Sequence, residues 1–233
     1  MKIAILGYGK MGKTIERLAK EKGHEIVYTS STTETKGELK KADVAIEFST
    51  PEQAVLNITQ CFKNTIPVVS GTTGWLDNYN SVIEACENCN GSFIYASNFS
   101  IGVNIFFDLN NYLAKLMEPY AEYIPNIEEI HHIEKKDAPS GTAITLAEDL
   151  LKFSKRNSWS LENKNDDVLN ISAKRIADVK GTHTVSYESK VDTLRITHEA
   201  HSRDGFALGA ILAAEWLKGK KGVFTMKDVL GMK

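Results

Sequence analysis

The densest chemistry in the sequence lies at residues 129–143, EIHHIEKKDAPSGTA. Two adjacent imidazoles, His131 and His132, stand near two adjacent amines, Lys135 and Lys136, and a Pro-Ser-Gly-Thr run follows. IEEIHHIEK keeps a period near two, so it predicts a strand over 127–135 with His131 and His132 on opposite faces and in different roles. DAPSGTAITLAEDL then reads as the start of a helix over 140–155, with Pro139 in its first turn. The amides of Ser140, Gly141 and Thr142 would lack intrahelical acceptors, and with the Thr142 hydroxyl they suit a carboxylate or phosphate. A carboxylate substrate here would meet cations that hold its charge and an acid able to deliver a proton. Taken singly, these residues have ordinary readings, since a lysine pair is usually solvated and a strand histidine usually packed. Their density at one strand-to-helix junction favours a reaction site.

A proton donor of this kind serves a hydride acceptor, and the N-terminal half carries the pattern of a hydride carrier's binding fold. KIAIL at 2–6 is a short apolar run, and GYGKMG follows with Gly7, Gly9 and Gly12 in G-x-G-x-x-G spacing. Met11, Ile15, Leu18 and Ala19 recur at helical intervals up to Gly23. In a strand–turn–helix of this kind Gly7 permits the turn, Gly9 admits a pyrophosphate and Gly12 lets the helix pack close. The acid expected after the second strand, which would hold the adenosine ribose, is absent. Thr29, Ser30, Ser31 and Thr32 stand there, with Glu34 slightly late, so NADH and NADPH both remain open.

Strands at DVAIEFS, IPVVS and SFIYA alternate with helices opening at Pro51 and near 77–88, which predicts a doubly wound parallel sheet. EFSTP, GTTG and SNFS would lie at the carboxyl ends of its strands, where such sheets bind ligands. In GTTG the glycines would leave room for a nicotinamide ring. After residue 101 the pattern changes. A helix over 104–117, the strand and helix of the His-Lys stretch, and three strand-like segments over 171–201 predict a smaller α+β domain with a mixed sheet. RNSWSLENKNDDVLN, 156–170, reads as a surface loop, and GFALGAILAAEWL as a helix packing back on the first domain. The expected organisation is a dinucleotide-binding domain over 1–101, completed by 204–233, and a substrate and oligomerisation domain over 102–203.

The chain has 233 residues with 28 basic against 30 acidic side chains, which gives no positive excess for nucleic acid or an anionic membrane. No apolar run reaches the roughly 20 residues of a membrane span, and the glycines after residue 6 interrupt any signal-peptide core, so a cytoplasmic protein is expected. Cys61, Cys86 and Cys89 are an odd count that suits a reducing compartment. CENC lacks the second ligand pair of a zinc site and lies at a helix end, so neither metal nor redox chemistry is expected of it.

GYGKMG, EFSTPE, GTTG, SNFSIGVN and above all EIHHIEKKDAPSGTA, in this order, closely resemble the dihydrodipicolinate reductases, also called 4-hydroxy-tetrahydrodipicolinate reductases. The resemblance runs from about residue 3 to GVFTMKDVL, and its motif H-H-x-x-K-x-D-A-P-S-G-T is long and specific. It implies reduction by NADH or NADPH of a cyclic, unsaturated dicarboxylate to tetrahydrodipicolinate, with loss of water, in lysine and diaminopimelate synthesis. By position it implies His131 as proton donor or acceptor, Lys135 as proton donor, and His132, Gly141 and Thr142 as substrate contacts. Cofactor contacts would fall on Gly7, Tyr8, Gly9, Lys10, Met11 and Gly12, on Gly71, Thr72 and Thr73, and on Ala96, Ser97, Asn98 and Phe99. Arg203 matches an SR segment and is either a hinge or a carboxylate contact. The resemblance also implies a homotetramer through the second domain's sheet.

The sequence departs from the family where an acid and a neighbouring basic residue follow the second strand in many members. Three other readings compete: another nicotinamide dehydrogenase of a small carboxylate, a dinucleotide sensor without turnover, and a Schiff-base lysine at Lys135. The paired histidines with DAPSGT oppose the first. An intact proton donor opposes the second, and a fold with its own hydride source opposes the third.

Overall fold

A computed structural model describes residues 1–161, 165 and 167–232. In chain order the elements are β1 (Lys2–Leu6), α1 (Lys10–Glu21), β2 (Glu25–Ser30), β3 (Thr35–Gly37), β4 (Val44–Glu47), α2 (Pro51–Lys63), β5 (Val68–Ser70), α3 (Tyr79–Asn88) and β6 (Ser92–Tyr95). There follow α4 (Ile101–Met117), β7 (Ile124–His131), α5 (Gly141–Lys152), β8 (Ser158–Leu161), β9 (Val168–Arg175), β10 (Thr182–Glu188) and β11 (Thr193–Glu199). The last are α6 (Asp204–Leu217), β12 (Gly222–Phe224) and α7 (Met226–Leu230). Contacts divide the chain into two compact units, Met1–Ile101 with Asp204–Lys233, and Gly102–Arg203.

The first unit is built on a seven-stranded sheet ordered β12-β6-β5-β4-β1-β2-β3, parallel except for the antiparallel edge strand β3. Alternation along β1 sends Ile3 and Ile5 to one side and Ala4 and Leu6 to the other. Ile15, Leu18 and Ala19 of α1 and the alanine-rich face of α6 cover the first side, while Ala54 and Ile58 of α2 and Val82 of α3 cover the second. Strand order reverses between β1 and β4, and this is where such sheets open a crevice for ligand.

The second unit has a mixed five-stranded sheet ordered β11-β10-β7-β9-β8. Strand β7 pairs with β9 in parallel and with β10 in antiparallel register. Phe106 and Leu113 of α4 and Leu146 and Leu150 of α5 pack on Ile127, Ile171 and Val185 of one face. Asn126 and Glu128 of β7 and Ser172 and Lys174 of β9, at the alternate positions, form the opposite, polar face.

The paired-histidine strand ends at His131 rather than 135, and a turn closes immediately with the Lys135 amide donating to the His132 carbonyl at 3.2 Å. Pro139 precedes the helix instead of joining its first turn, because Ser140 is the N-cap and its hydroxyl accepts the Ala143 N–H at 3.2 Å. The helix stops at Lys152. The segment 156–170 is not wholly loop: β8 and the first turns of pairing in β9 occupy 158–161 and 168–170, and residues 162–164 and 166 of that expectation lie outside the described residues. Among the described residues no helix is long and apolar enough to cross a membrane.

Candidate active site

In the first unit, each glycine of the G-x-G-x-x-G turn has its own reason. Gly7 has φ +97°, and a Cβ there would sit 2.0 Å from the Phe48 carbonyl oxygen. A Cβ on Gly12 would meet the Gly7 carbonyl oxygen at 2.3 Å, so helix and turn touch through it. Gly9 faces open space, with nothing within 4 Å of its missing Cβ. Gly7, Tyr8 and Gly9 join Tyr28, Thr32, Thr35, Phe48, Ser49, Thr50, Gln53 and Asn57 in lining a cavity of about 650 Å³ at the switch point. Lys10 is exposed at the start of α1, and Met11 packs into the core beneath.

The GTTG loop is held from below. Thr72 is buried, donating from its hydroxyl to Glu47 Oε1 at 2.8 Å while accepting the Ser49 N–H at 2.8 Å. Glu47, wholly buried at the end of β4, also accepts the Ser70 hydroxyl at 2.7 Å and that of Ser49. One carboxylate therefore ties the EFSTP and GTTG loops together, leaving Thr73 exposed. At Gly71 a Cβ would lie 2.2 Å from the Phe48 ring, so the loop passes directly over that side chain. Ala96 to Phe99 leave β6 with Ser97 exposed, Asn98 Oδ1 accepting the Ser100 N–H at 2.9 Å, and Phe99 buried against Phe48.

In the second unit His131 and His132 diverge as strand alternation predicts. His131 is 7 % exposed, and its ring meets His183 of β10 edge-on at 5.0 Å between centroids. Its Nδ1 lies 3.8 Å from Oε1 of the fully buried Glu129. Burial lowers its pKa, partly opposed by Glu129, while Lys135 and Arg175 push the same way as burial. Burial and the neighbouring His131 push His183 down to about 4. His132 instead lines a cleft of about 410 Å³ with Glu134, Asp178, Lys180, Ser202 and Arg203.

Lys135 Nζ donates to both oxygens of Asp137, at 2.8 and 2.7 Å, and this contact lowers the Asp137 pKa. Lys136 is exposed. At the start of α5, Gly141 and Thr142 have amides with no acceptor among the described residues. The Ser140 amide does have one: it donates to Glu129 Oε2 at 2.8 Å. The amides left open at this helix start are therefore those of Gly141 and Thr142, while the Ser140 hydroxyl lies 3.0 Å from His183 Nε2.

Glu129, His183, Arg175 and Gly181 were not among the residues singled out by sequence. The available signal was parity: Glu129 shares the inward face of β7 with Ile127 and His131, and a carboxylate there requires a partner. The partner, Arg175, comes from β9 and touches Glu129 Oε1 at 3.3 Å through both Nη atoms. Gly181 keeps the wall thin, since a Cβ would stand 3.3 Å from His131 Nε2. Glu129, His131 and His183 bring donor atoms within 4.8 Å of one another, but a guanidinium on the carboxylate makes the set unsuited to a metal cation.

A glycine turn at the switch point of a doubly wound sheet, with a second unit carrying imidazoles, a lysine and open helix-start amides at one junction, defines a nicotinamide-dependent oxidoreductase. The sequence profile described as "Dihydrodipicolinate reductase, N-terminus" matches residues 1–99, and "Dihydrodipicolinate reductase, C-terminus" matches 102–230. The chain belongs to the dihydrodipicolinate reductase family. It is 55% identical to the 4-hydroxy-tetrahydrodipicolinate reductase of Christiangramia forsetii, over 99% of this chain and 98% of that one. It is 36% identical to the enzyme of that name from Colwellia psychrerythraea, over 100% and 99% of the two chains. Its fold matches a dipicolinate-bound dihydrodipicolinate reductase from Paenisporosarcina sp. TG-14 with a TM-score of 0.76, at 22% identity, covering 97% of each chain.

Proposed function

We propose that this protein reduces 4-hydroxy-tetrahydrodipicolinate to tetrahydrodipicolinate, with loss of water, at the expense of NADH or NADPH, as a step of lysine and diaminopimelate synthesis. The observation that carries this reading is Lys135 and His131 placed with the unpaired amides of Gly141 and Thr142 at one strand-to-helix junction. When bound, the nicotinamide supplies the hydride; the cavity at Gly7 to Gly9 fits its pyrophosphate, with Gly9 bare where the backbone must be approached. Gly141 and Thr142 hold one substrate carboxylate. His132 and Arg203, in one cleft, supply further polar contacts for the second, Arg203 as a guanidinium. Electron density left on the conjugated ring by the hydride is stabilised by Lys135 Nζ, which then gives up its proton, with His131 as donor or acceptor beside it.

The direct test generates the unstable substrate in situ from pyruvate and aspartate semialdehyde and follows NADH and NADPH oxidation separately. Substrate-dependent oxidation of NADH, NADPH or both is expected. Its absence with both overturns the reading.

The same reading includes a homotetramer in the cytoplasm. Its support is the sheet face opposite α4 and α5, where partly covered small polar residues such as Asn126 and Ser172 neighbour an Asn170 Oδ1 that is buried without a partner among the described residues. A solution molar mass about four times 25.9 kDa is expected from light scattering.

A further inference from the structure

Between His131 and Ser140 the chain carries Lys135 on a loop with a single backbone hydrogen bond of its own among the described residues, Lys135 N–H to the His132 carbonyl. A loop so sparsely bonded does not fix an ammonium to the fraction of an ångström that proton transfer needs. What fixes it comes from β9. Arg175 donates from Nε to the Lys135 carbonyl at 3.3 Å and from Nη2 to the Asp137 carbonyl at 2.7 Å. The same guanidinium rests on Glu129 Oε1, which also faces His131 Nδ1. The other oxygen of Glu129 holds the Ser140 amide, and so the start of α5.

We propose that Glu129 and Arg175 are the positioning residues of this site. The pair sets His131, the Lys135 loop and the Gly141–Thr142 cradle in one fixed relation, while neither member touches substrate. Only a planar fork spans two carbonyls and a carboxylate at once, so lysine at position 175 would keep the charge and lose the geometry. A wholly buried carboxylate paired with a partly exposed guanidinium gains little net stability over apolar side chains of the same volume, which fits a positional rather than a stabilising role.

The inference rests on His131 and Lys135 being the reacting groups, as proposed above, and its test separates the two. Wild type, Arg175→Lys and Glu129→Gln are compared in kcat, KM, NADH titration, melting temperature and pH profile. Arg175→Lys is expected to lower kcat by about thirtyfold or more with NADH affinity unchanged and the pH limb in place, because the charge remains. Glu129→Gln is expected to lower kcat and to move the limb below neutral pH further down, since the carboxylate opposing His131's low pKa is gone. The groups facing His131 are Glu129 on its own strand, Arg175 on β9, His183 on β10 with His198 behind it on β11, and Lys135 and Asp137 in the loop.

Guanidinium added to Arg175→Ala is expected to restore part of kcat, which a loss of folded protein would not allow. Variants with wild-type kcat and pH limb would overturn the inference alone. So would activity falling only in step with the folded fraction, without guanidinium rescue. A wild type that does not turn over would overturn the reductase reading and this inference with it.

Discussion

His183 sits 5 % exposed between Ser140 and His131, and burial holds its pKa down to about 4. An unfolded histidine titrates near about 6.5. As pH falls from there the unfolded chain takes up a proton that the folded chain refuses until about 4, so the folded state loses stability across that window. The loss begins below the unfolded value and amounts to on the order of 3 kcal/mol by pH 4. His131 and His198, also lowered by burial, act in the same direction. Melting temperature is expected to drop between pH 6.5 and 4, with a shallower slope in His183→Asn; a flat profile for the wild type would refute this. Lys135→Ala and His131→Ala are each expected to lower kcat at least a hundredfold while leaving NADH titration unchanged, since both residues lie in the unit that lacks the glycine turn. Retention of near wild-type turnover by either would remove it from the acid–base chemistry. The thiols show how residue type alone misleads: Cys86 of CENC is buried with its pKa pushed up to about 11, and Cys61 to about 12, so neither offers a thiolate near neutral pH.

At the turn between β1 and α1, two glycines predict opposite defects. A Cβ at Gly9 has no protein atom within 4 Å, so Gly9→Val is expected to melt like wild type yet lose NADH and NADPH binding, read by fluorescence titration. Gly12→Ala drives a Cβ into the Gly7 carbonyl, so it is expected to cost about 1–3 kcal/mol and several degrees in melting temperature. Equal melting of the two would contradict the packing described. The β1–turn–α1 unit was legible in the sequence because a buried apolar run, fixed glycine spacing and a helical period agree within some twenty residues, roughly the span of one supersecondary unit. The loop after His131 was not, because its course is set by Arg175, which local periodicity does not connect to it. Strands β3 and β12 are three residues each, too short to display alternation, and β8 is a polar edge strand without an apolar run. Parity along β7 did separate His131 from His132, and the helix start did mark the open amides of Gly141 and Thr142, whereas the Ser140 amide is taken by Glu129.

On the scale of the whole chain, the first unit is discontinuous and the second is not. Helix α6 supplies Ala207, Ala210, Ile211, Ala213, Ala214 and Leu217 to the core beneath β1 and β4, and its Gly209 lies where a Cβ would strike the Phe99 carbonyl at 1.7 Å. Removing residues 204–233 is therefore expected to abolish NADH binding and the cooperative melting of the first unit. A fragment of residues 102–203, contiguous and with its own core, is expected to keep a folded circular-dichroism spectrum. A truncated chain that still bound NADH would contradict this account of α6.

The pairing of β12 with β6 also imposes an order on synthesis. A ribosome releases the whole of the second unit before it has made α6 or β12. A nascent chain thus exposes the unpaired edge of β6 and the apolar side of β1 and β4 while its inner unit is already able to fold. That interval, not the finished molecule, is when this protein most needs a chaperone.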